Sequence, residues 1–90
     1  MLYPLMTLND ETEIVHSEMY ENGKVKVCIE TPDEKFGFKS ATCWLPDYKW
    51  ENIVGYTTEE QNYFKSLVHS MAHLILEFSQ TGGFENASGF

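Results

Sequence analysis

The sequence predicts an α+β fold, a four-stranded antiparallel β-meander followed by one long C-terminal amphipathic helix packed across the sheet. Two observations carry this prediction. The first half of the chain alternates β-rich runs with turn residues, and the second half contains one apolar pattern of helical period. We expect residues 1–80 to form a single domain and residues 81–90 a C-terminal tail whose small polar residues allow flexibility.

The four β-rich runs are separated by the turn sequences NDE, ENG and PDEKFG. Pro4 lacks an N–H group for a strand ladder, so the first run is expected at a sheet edge. Segment 46–56 has no clean period and is expected to be a connection lying against the core. The runs predicted as strands are residues 2–8, 12–20, 24–31 and 38–45.

The ENG turn indicates a register between the second and third strands. A three-residue loop with Gly23 in the left-handed conformation pairs Val15 with Ile29 and sets Glu18 opposite Lys26. The helix-facing side of this hairpin is then expected to carry Val15, Met19, Val25, Val27 and Ile29.

A capping-box pattern predicts where the helix begins. Thr57 at the N-cap is followed three residues later by Glu60, and the helix is expected to run to about Gln80, before Gly82 and Gly83. At about 100° per residue, the large apolar side chains span about 140°. This predicted core stripe consists of Tyr63, Phe64, Leu67, Val68, Met71, Leu74, Ile75 and Phe78.

Two histidines on the opposite side of the predicted helix suggest a metal site. His69 and His73 are four residues apart and Glu77 follows at the same spacing, so the three could share a zinc ion. However, a closed zinc site needs four ligands, and Ser70 replaces the glutamate of a His-Glu-x-x-His motif. A metal-dependent enzyme would need His16 or Cys28 to complete the site. We therefore expect no cofactor and keep zinc as the alternative.

Composition and charge limit the classes of partner. The net charge is −8, with 14 acidic residues against six lysines and no arginine, which disfavours nucleic-acid binding. No segment has the length of apolar sequence that spans a membrane, and the N-terminus lacks the basic region of a signal peptide. Cys28 and Cys43 lack a Cys-x-x-Cys spacing and are expected to stay reduced. The sequence predicts a cytoplasmic protein.

Several side chains suggest protein binding. Leu76 projects with Ala72 and His69 on the side of the helix expected to face away from the core, which could pack on another helix or a second copy. Other candidates are the tail residues Phe84 and Phe90 and the acidic residues of the first hairpin, Glu11, Glu13 and Glu18.

The stretch CWLPDYKW…GYTTEEQ, residues 43–61, resembles the part of HicB-type antitoxins where a strand ends in Pro-Asp and a Gly-x-Thr-x-Glu-Glu turn opens a helix. In that family a small strand-rich domain pairs with a toxin, often as an acidic cap over a basic RNase. The resemblance implies a protein partner for this chain.

The leading hypothesis is a small acidic, non-enzymatic protein-interaction module that binds a protein partner or forms a homodimer. One alternative is an antitoxin-like or DNA-mimic inhibitor that uses the carboxylates of the first hairpin. Another alternative is a metal-binding protein or metal-dependent enzyme built on His69 and His73. The sequence shows no recognisable set of catalytic residues, so an enzyme is the less favoured hypothesis.

Overall fold

The computed structural model describes residues 2–35 and 37–80 and confirms the α+β class. In this part of the chain, one antiparallel sheet has the strand order β1-β2-β3-β4-β5, and one helix lies across one of its faces. The elements are β1 Leu2–Thr7, β2 Glu13–Ser17, β3 Val25–Asp33, β4 Gly37–Leu45, β5 Lys49–Val54 and α1 Thr58–Gln80. The prediction of Pro4 in an edge strand is confirmed, because β1 pairs with β2 and with no other strand of residues 2–35 and 37–80.

The sheet has five strands, so the prediction of four was wrong by one. The missing strand, β5, lies in the segment expected to be a connection. Its ladder with β4 pairs Thr42 with Glu51 but Ser40 with Val54, leaving one extra residue on β5. This bulge, where Asn52 has a φ of 54°, puts Trp50 and Ile53 on the core side three residues apart. The period-two pattern of a strand is therefore absent from the sequence.

Short polar side chains stabilise the turns by accepting hydrogen bonds from nearby backbone N–H groups. In the first three hairpin turns an Asp or Asn side chain accepts the N–H of the residue two positions later. The acceptors are Asp10, Asn22 and Asp33, and their donors are Thr12, Lys24 and Lys35.

The loop between β2 and β3 has the predicted length, but the predicted register is wrong. Tyr20 N–H donates to the Lys24 carbonyl at 2.9 Å and Gly23 has a φ of 80°, as a three-residue loop requires. Beyond the loop, however, the ladder pairs Ile14 with Ile29, and one extra residue stands on the β2 side. Ile14 and His16 therefore face the helix, and Val15 lies on the opposite face of the sheet.

Ser17 bridges the backbone at this irregularity. Its buried hydroxyl accepts the Lys26 N–H at 2.9 Å and donates to the Glu18 carbonyl at 2.8 Å. The side chain thus stands between a donor and an acceptor that would bond directly in a regular ladder. The Ser17 side chain therefore stabilises the register shift. The pairing of residues 13–16 with β3 then determines which face of β2 is buried.

Replacing Ser17 with alanine removes this bridge. We expect Ser17→Ala to lower the free energy of unfolding by about 1–2 kcal/mol, because the Lys26 N–H and the Glu18 carbonyl both lose their partner. Urea denaturation followed by circular dichroism measures the effect. Ser66→Ala, at an exposed helix position, is the control and should change stability by less than about 0.5 kcal/mol. Equal effects of the two substitutions would contradict the bridging role.

The helix begins as predicted. Glu60 N–H donates to Thr57 Oγ1 at 3.1 Å, and Thr57 N–H donates to Glu60 Oε1 at 2.9 Å, which completes the capping box. Near the other end, Met19 N–H donates to the Ser79 carbonyl at 3.2 Å and joins the helix to the chain after β2. The helix is described to Gln80, the last described residue, and Gly82 and Gly83, the glycines expected to end it, lie outside the described residues.

The helix buries a different face from the one expected. Its buried residues are Phe64, Val68, Ala72, Ile75 and Ser79. This face is turned by about 70° from the predicted stripe. Small side chains at positions 72 and 79 allow the helix to approach the sheet there, whereas Tyr63 and Leu74 remain 55% and 44% exposed. Alternate residues of the central strands pack against this face of the helix. Together they form the core, which consists of Ile14, Val25, Val27, Ile29, Ala41, Cys43, Leu45, Tyr56, Phe64, Val68, Ala72 and Ile75.

A chain of hydroxyl groups crosses one end of the core. Thr12 Oγ1 lies 2.6 Å from Thr31 Oγ1, which lies 2.8 Å from Tyr56 Oη. Tyr56 Oη donates to the Lys39 carbonyl at 3.2 Å, and a carbonyl only accepts. The direction of the chain follows from that end, since Thr31 must then donate to Tyr56 and Thr12 to Thr31. Three buried hydroxyl groups are satisfied in sequence.

Candidate functional site

The structure does not assemble the predicted metal site. The His69 ring packs on the Tyr48 ring with centroids 4.9 Å apart, and His73 and Glu77 line a shallow groove with Leu76. Among residues 2–35 and 37–80, no group of three or more His, Cys, Asp or Glu side chains is placed to hold a metal ion. His69, His73 and Glu77 therefore do not form a three-ligand set.

The predicted surface around Leu76 is also different in the structure. Ala72 is 6% exposed and belongs to the core, and Leu76 is half-buried and packs against the core. His69 alone of these three residues is exposed. The expectation that Ala72 faces solvent was wrong, because the helix is turned toward it, and Leu76 is divided between the core and the groove beside His73.

The other predicted interaction residues are dispersed. Glu11 stands in the β1–β2 turn with a φ of 67°, and Glu13 is exposed on β2. Glu18 follows β2 and accepts a hydrogen bond from Tyr3 Oη at 3.2 Å. Phe84 and Phe90 lie outside the described residues.

The rotation of the helix produces a surface that sequence reasoning assigned to the core. We define the exposed helix flank as Tyr63, Leu67, Leu74 and Phe78, which lie near one line along α1 and extend for about 22 Å. Tyr63 and Leu74 are the most exposed of the four, and Leu67 and Phe78 are half-buried. A line of large apolar side chains at helical spacing is the pattern used by helices that bind other proteins.

A cleft of about 400 Å³ lies at the N-terminal end of this flank. Tyr63 lines it from the helix, and Asn9 and Asp10 line it from the turn after β1. A hydrogen bond from Thr12 holds the pKa of Asp10 below its usual value, so the carboxylate is charged at neutral pH. The cleft therefore presents an aromatic ring beside a carboxylate.

Glu60, which also lines this cleft, is bonded to Lys39. The Lys39 Nζ atom lies 2.8 Å from Glu60 Oε2, and this bond, followed by the bond from Thr57 N–H, lowers the pKa of Glu60. The same bond raises the pKa of Lys39. The pair connects the start of the helix to β4.

This ion pair predicts a dependence of stability on pH. A depressed carboxylate pKa stabilises the fold above its ordinary value of 4.5, and that contribution disappears as pH falls through the lower folded value. We expect Glu60→Gln to be less stable than the parent at neutral pH, with a difference that vanishes in acid. The glutamine oxygen still accepts from Thr57, which preserves the cap. Urea denaturation across this pH range is the measurement.

Glu59→Gln is the matched control, because Glu59 is an exposed neighbour in the same helical turn. Its difference from the parent should be smaller at neutral pH. A Glu60→Gln difference that stays constant down to the lowest pH would contradict the role of the ion pair.

His16 is a buried polar residue that the sequence analysis placed on the wrong side of its strand. It is fully buried beside the Tyr3 ring, and its Nδ1 atom donates to the Ser17 carbonyl at 2.9 Å. Its Nε2 atom has no hydrogen-bond partner in the described part of the chain. The only available signal was the alternation of Thr12, Ile14 and His16, which marks the buried face of β2 once the register is known.

His16 and Cys28, the two residues suggested to complete a metal site, lie on opposite faces of the sheet. Cys28 pairs with Val15 in the ladder and lies on the face opposite His16. Burial raises the pKa of the Cys28 thiol, and it raises that of Cys43, in the core, to about 11. Both cysteines are free, and their thiols project from opposite faces of the sheet.

No protein-family model matches the chain, and no curated protein or solved structure matches it. The resemblance of residues 43–61 to HicB-type antitoxins stays a prediction. Among the described residues, no helix has the length and apolar character needed to cross a membrane.

Proposed function

We propose that the chain is a non-enzymatic protein-interaction module that binds its partner along the exposed helix flank. One observation carries the proposal: the most apolar side of the helix is turned partly to solvent, and smaller side chains occupy the core contact. Tyr63 and Leu74 are about half exposed although the same helix buries Ala72 and Ser79. Surface apolar lines of this kind are typical of binding sites.

The charges around the flank indicate the chemistry of the partner. Glu59 and Glu77 lie along its solvent side at opposite ends, and Asp10 borders the cleft next to Tyr63. Lys65, the only lysine on the helix, lies on the other flank. The matching surface is an apolar strip bordered by lysine or arginine, such as one face of a basic amphipathic helix.

A second copy of the chain fits this flank poorly. Two flanks packed antiparallel would bring Glu59 of one copy near Glu77 of the other, and the helix carries no lysine on this side to separate them. Like charges at the edge of an interface oppose association. The flank therefore favours a partner of different sequence.

The rigidity of the helix favours binding. Burying a half-exposed tyrosine and leucine contributes about 1 kcal/mol or more each, before ordering costs. The capping box holds the start of the helix beforehand, and the bond from Met19 N–H to the Ser79 carbonyl holds its last described turn. The conformational entropy lost on binding is then mainly that of the partner.

The test uses a synthetic amphipathic peptide of leucine and lysine at helical spacing, with binding measured by calorimetry. We expect the double variant Tyr63→Ser/Leu74→Ser to bind this peptide about tenfold or more weakly than the parent. The matched control is Phe38→Ser/Val54→Ser, which removes two side chains of similar exposure from the other face of the sheet. This control should bind as the parent does.

A second control separates the apolar pattern from charge. A peptide with the same composition in scrambled order keeps the attraction to the acidic protein but has no apolar face. Equal binding of both peptides, or equal weakening by both double variants, would rule out the helix flank as the binding surface.

A further inference from the structure

The face of the sheet opposite the helix carries a second arrangement that the helix flank does not explain. We call it the outer sheet face. Leu2, Phe38 and Val54 are 50%, 58% and 51% exposed there. Tyr20 and Trp44 pack together at one end, with ring centroids 5.8 Å apart. No element of the described chain covers these side chains, because the only helix lies on the other side.

The ladders arrange the outer face in rows across the strands, spaced about 7 Å apart. The acidic row contains Glu13 and Glu30. The central row contains Val15, Cys28 and Thr42, and Glu51 ends it on β5. The basic row contains Lys26, Trp44 and Lys49.

The acidic and basic rows are both unfavourable in a single copy. Glu13 stands directly opposite Glu30 on neighbouring strands, and like charges in that position destabilise a sheet. Lys26 has no carboxylate within ion-pairing distance among residues 2–35 and 37–80. Each row lacks the charge that the other carries, and the central row, which is uncharged except for Glu51 at its β5 end, separates them.

We propose that two copies of the chain pack through their outer sheet faces about a two-fold axis parallel to the central row. Rotation about this axis reverses the strand direction, so the acidic row of each copy lies against the basic row of the other. Glu30 and Lys26 occupy the same strand, β3, and exchange places under this operation. The central row packs on its own copy, as an isologous interface requires. The result is a sandwich of two aligned sheets.

The size of the face suits a reversible dimer. Five strands about 4.8 Å apart, with three to four rows along them, give a face of about 500 Å² per copy. This lies at the low end for specific interfaces. The exposed rims at Phe38 and Val54 add apolar area, so association should depend on protein concentration.

Charge reversal tests the pairing of rows. Light scattering across a concentration series should show a monomer–dimer equilibrium for the parent. Lys26→Glu and Glu30→Lys should each raise the dissociation constant about tenfold or more, because each places like charges across the interface. The double variant Lys26→Glu/Glu30→Lys should return to within a few-fold of the parent, since the pairing is restored with reversed sign.

Lys65→Glu is the matched control, with the same charge change on the helix side. A parent that stays monomeric at the highest concentration overturns the proposal. A double variant as weak as the single variants overturns it as well. Circular dichroism of every variant separates lost association from lost folding.

Cys28 offers a second and independent readout. It lies in the central row of the central strand, so the two copies of Cys28 face each other near the axis, whereas Cys43 is in the core. Mild oxidation should link the parent into a covalent dimer, and Lys26→Glu should reduce its yield. Cys28→Ser should abolish it. A covalent dimer that persists in Cys28→Ser would contradict this geometry.

The two surfaces are on opposite sides of the molecule, so their tests are separable. Lys26→Glu should weaken dimerisation without changing the binding of the leucine–lysine peptide to the helix flank. Tyr63→Ser/Leu74→Ser should show the reverse pattern. Failure of one set of results leaves the other interpretable.

Discussion

Ala72→Glu is expected to lower the free energy of unfolding by about 3–5 kcal/mol, because it places an unpaired charge where the helix meets the sheet. Ala72 is 6% exposed and belongs to the same core cluster as Val68 and Ile75. The glutamate has no cationic residue on the buried face of the helix to pair with. Urea denaturation monitored by circular dichroism and tryptophan fluorescence gives the measurement.

The control is Leu74→Glu, two residues further along the same helix. Leu74 is 44% exposed, so its replacement should cost less than about 1 kcal/mol. The predicted core stripe demands the opposite order, with position 74 buried and position 72 in water. A protein that tolerates Ala72→Glu and loses stability with Leu74→Glu would therefore refute the rotated helix and, with it, the exposed helix flank.

Thr31→Val is expected to cost about 2–3 kcal/mol although it preserves the size of the side chain. The substitution removes the middle of the hydroxyl chain, so Thr12 loses its acceptor and Tyr56 loses one donor. Thr12 is fully buried, and a buried donor without a partner carries its full desolvation penalty. Thermal and urea unfolding should agree on the loss.

The hydroxyl chain can be tested by a double-mutant cycle. Thr12→Val/Thr31→Val should cost less than the sum of the two single variants, because it removes both members of one bond together. Thr31→Ser keeps the hydroxyl and should lose only the packing of one methyl group. If the two valine substitutions are strictly additive, Thr12 and Thr31 are not coupled through this bond.

The fold class and the start of the helix were accessible from local chemistry. The capping box at Thr57 and Glu60 forms as the sequence indicates, and the three-residue loop at Gly23 is present. Both depend on residues within a few positions of one another. Such patterns hold without knowledge of the tertiary structure.

The wrong predictions about the strands concern bulges, which insert one residue and shift the alternation beyond them. The extra residue near Ser17 reverses which side chains of β2 face the core. The bulge at Asn52 removes the period-two pattern by which β5 would be recognised. A third bulge follows Pro4 in β1. Bulges are stabilised by contacts from other strands, such as the Lys26 N–H on Ser17, so sequence periodicity alone does not reveal them.

The prediction of which helix face is buried was wrong for a different reason. Apolar periodicity locates the most hydrophobic side of a helix, but close packing also needs side chains small enough to fit against a sheet. Ala72 and Ser79 meet that need, and larger residues on the flank do not. The residues of the exposed helix flank were thus recognised in the sequence as one apolar line, but they were assigned to the core. The outer sheet face could not be read at all until the register was known.

The connectivity of the sheet has a consequence for how the molecule opens. Every strand pairs with its neighbour in the chain, so hairpins can form one after another by closing short loops. The contact between Met19 N–H and the Ser79 carbonyl instead joins segments that are far apart in sequence. We expect the helix to dock last during folding and to detach first during native-state fluctuations. Amide hydrogen exchange should then show slowest exchange in β3 and β4, with the last turns of α1 exchanging through a smaller, separate opening.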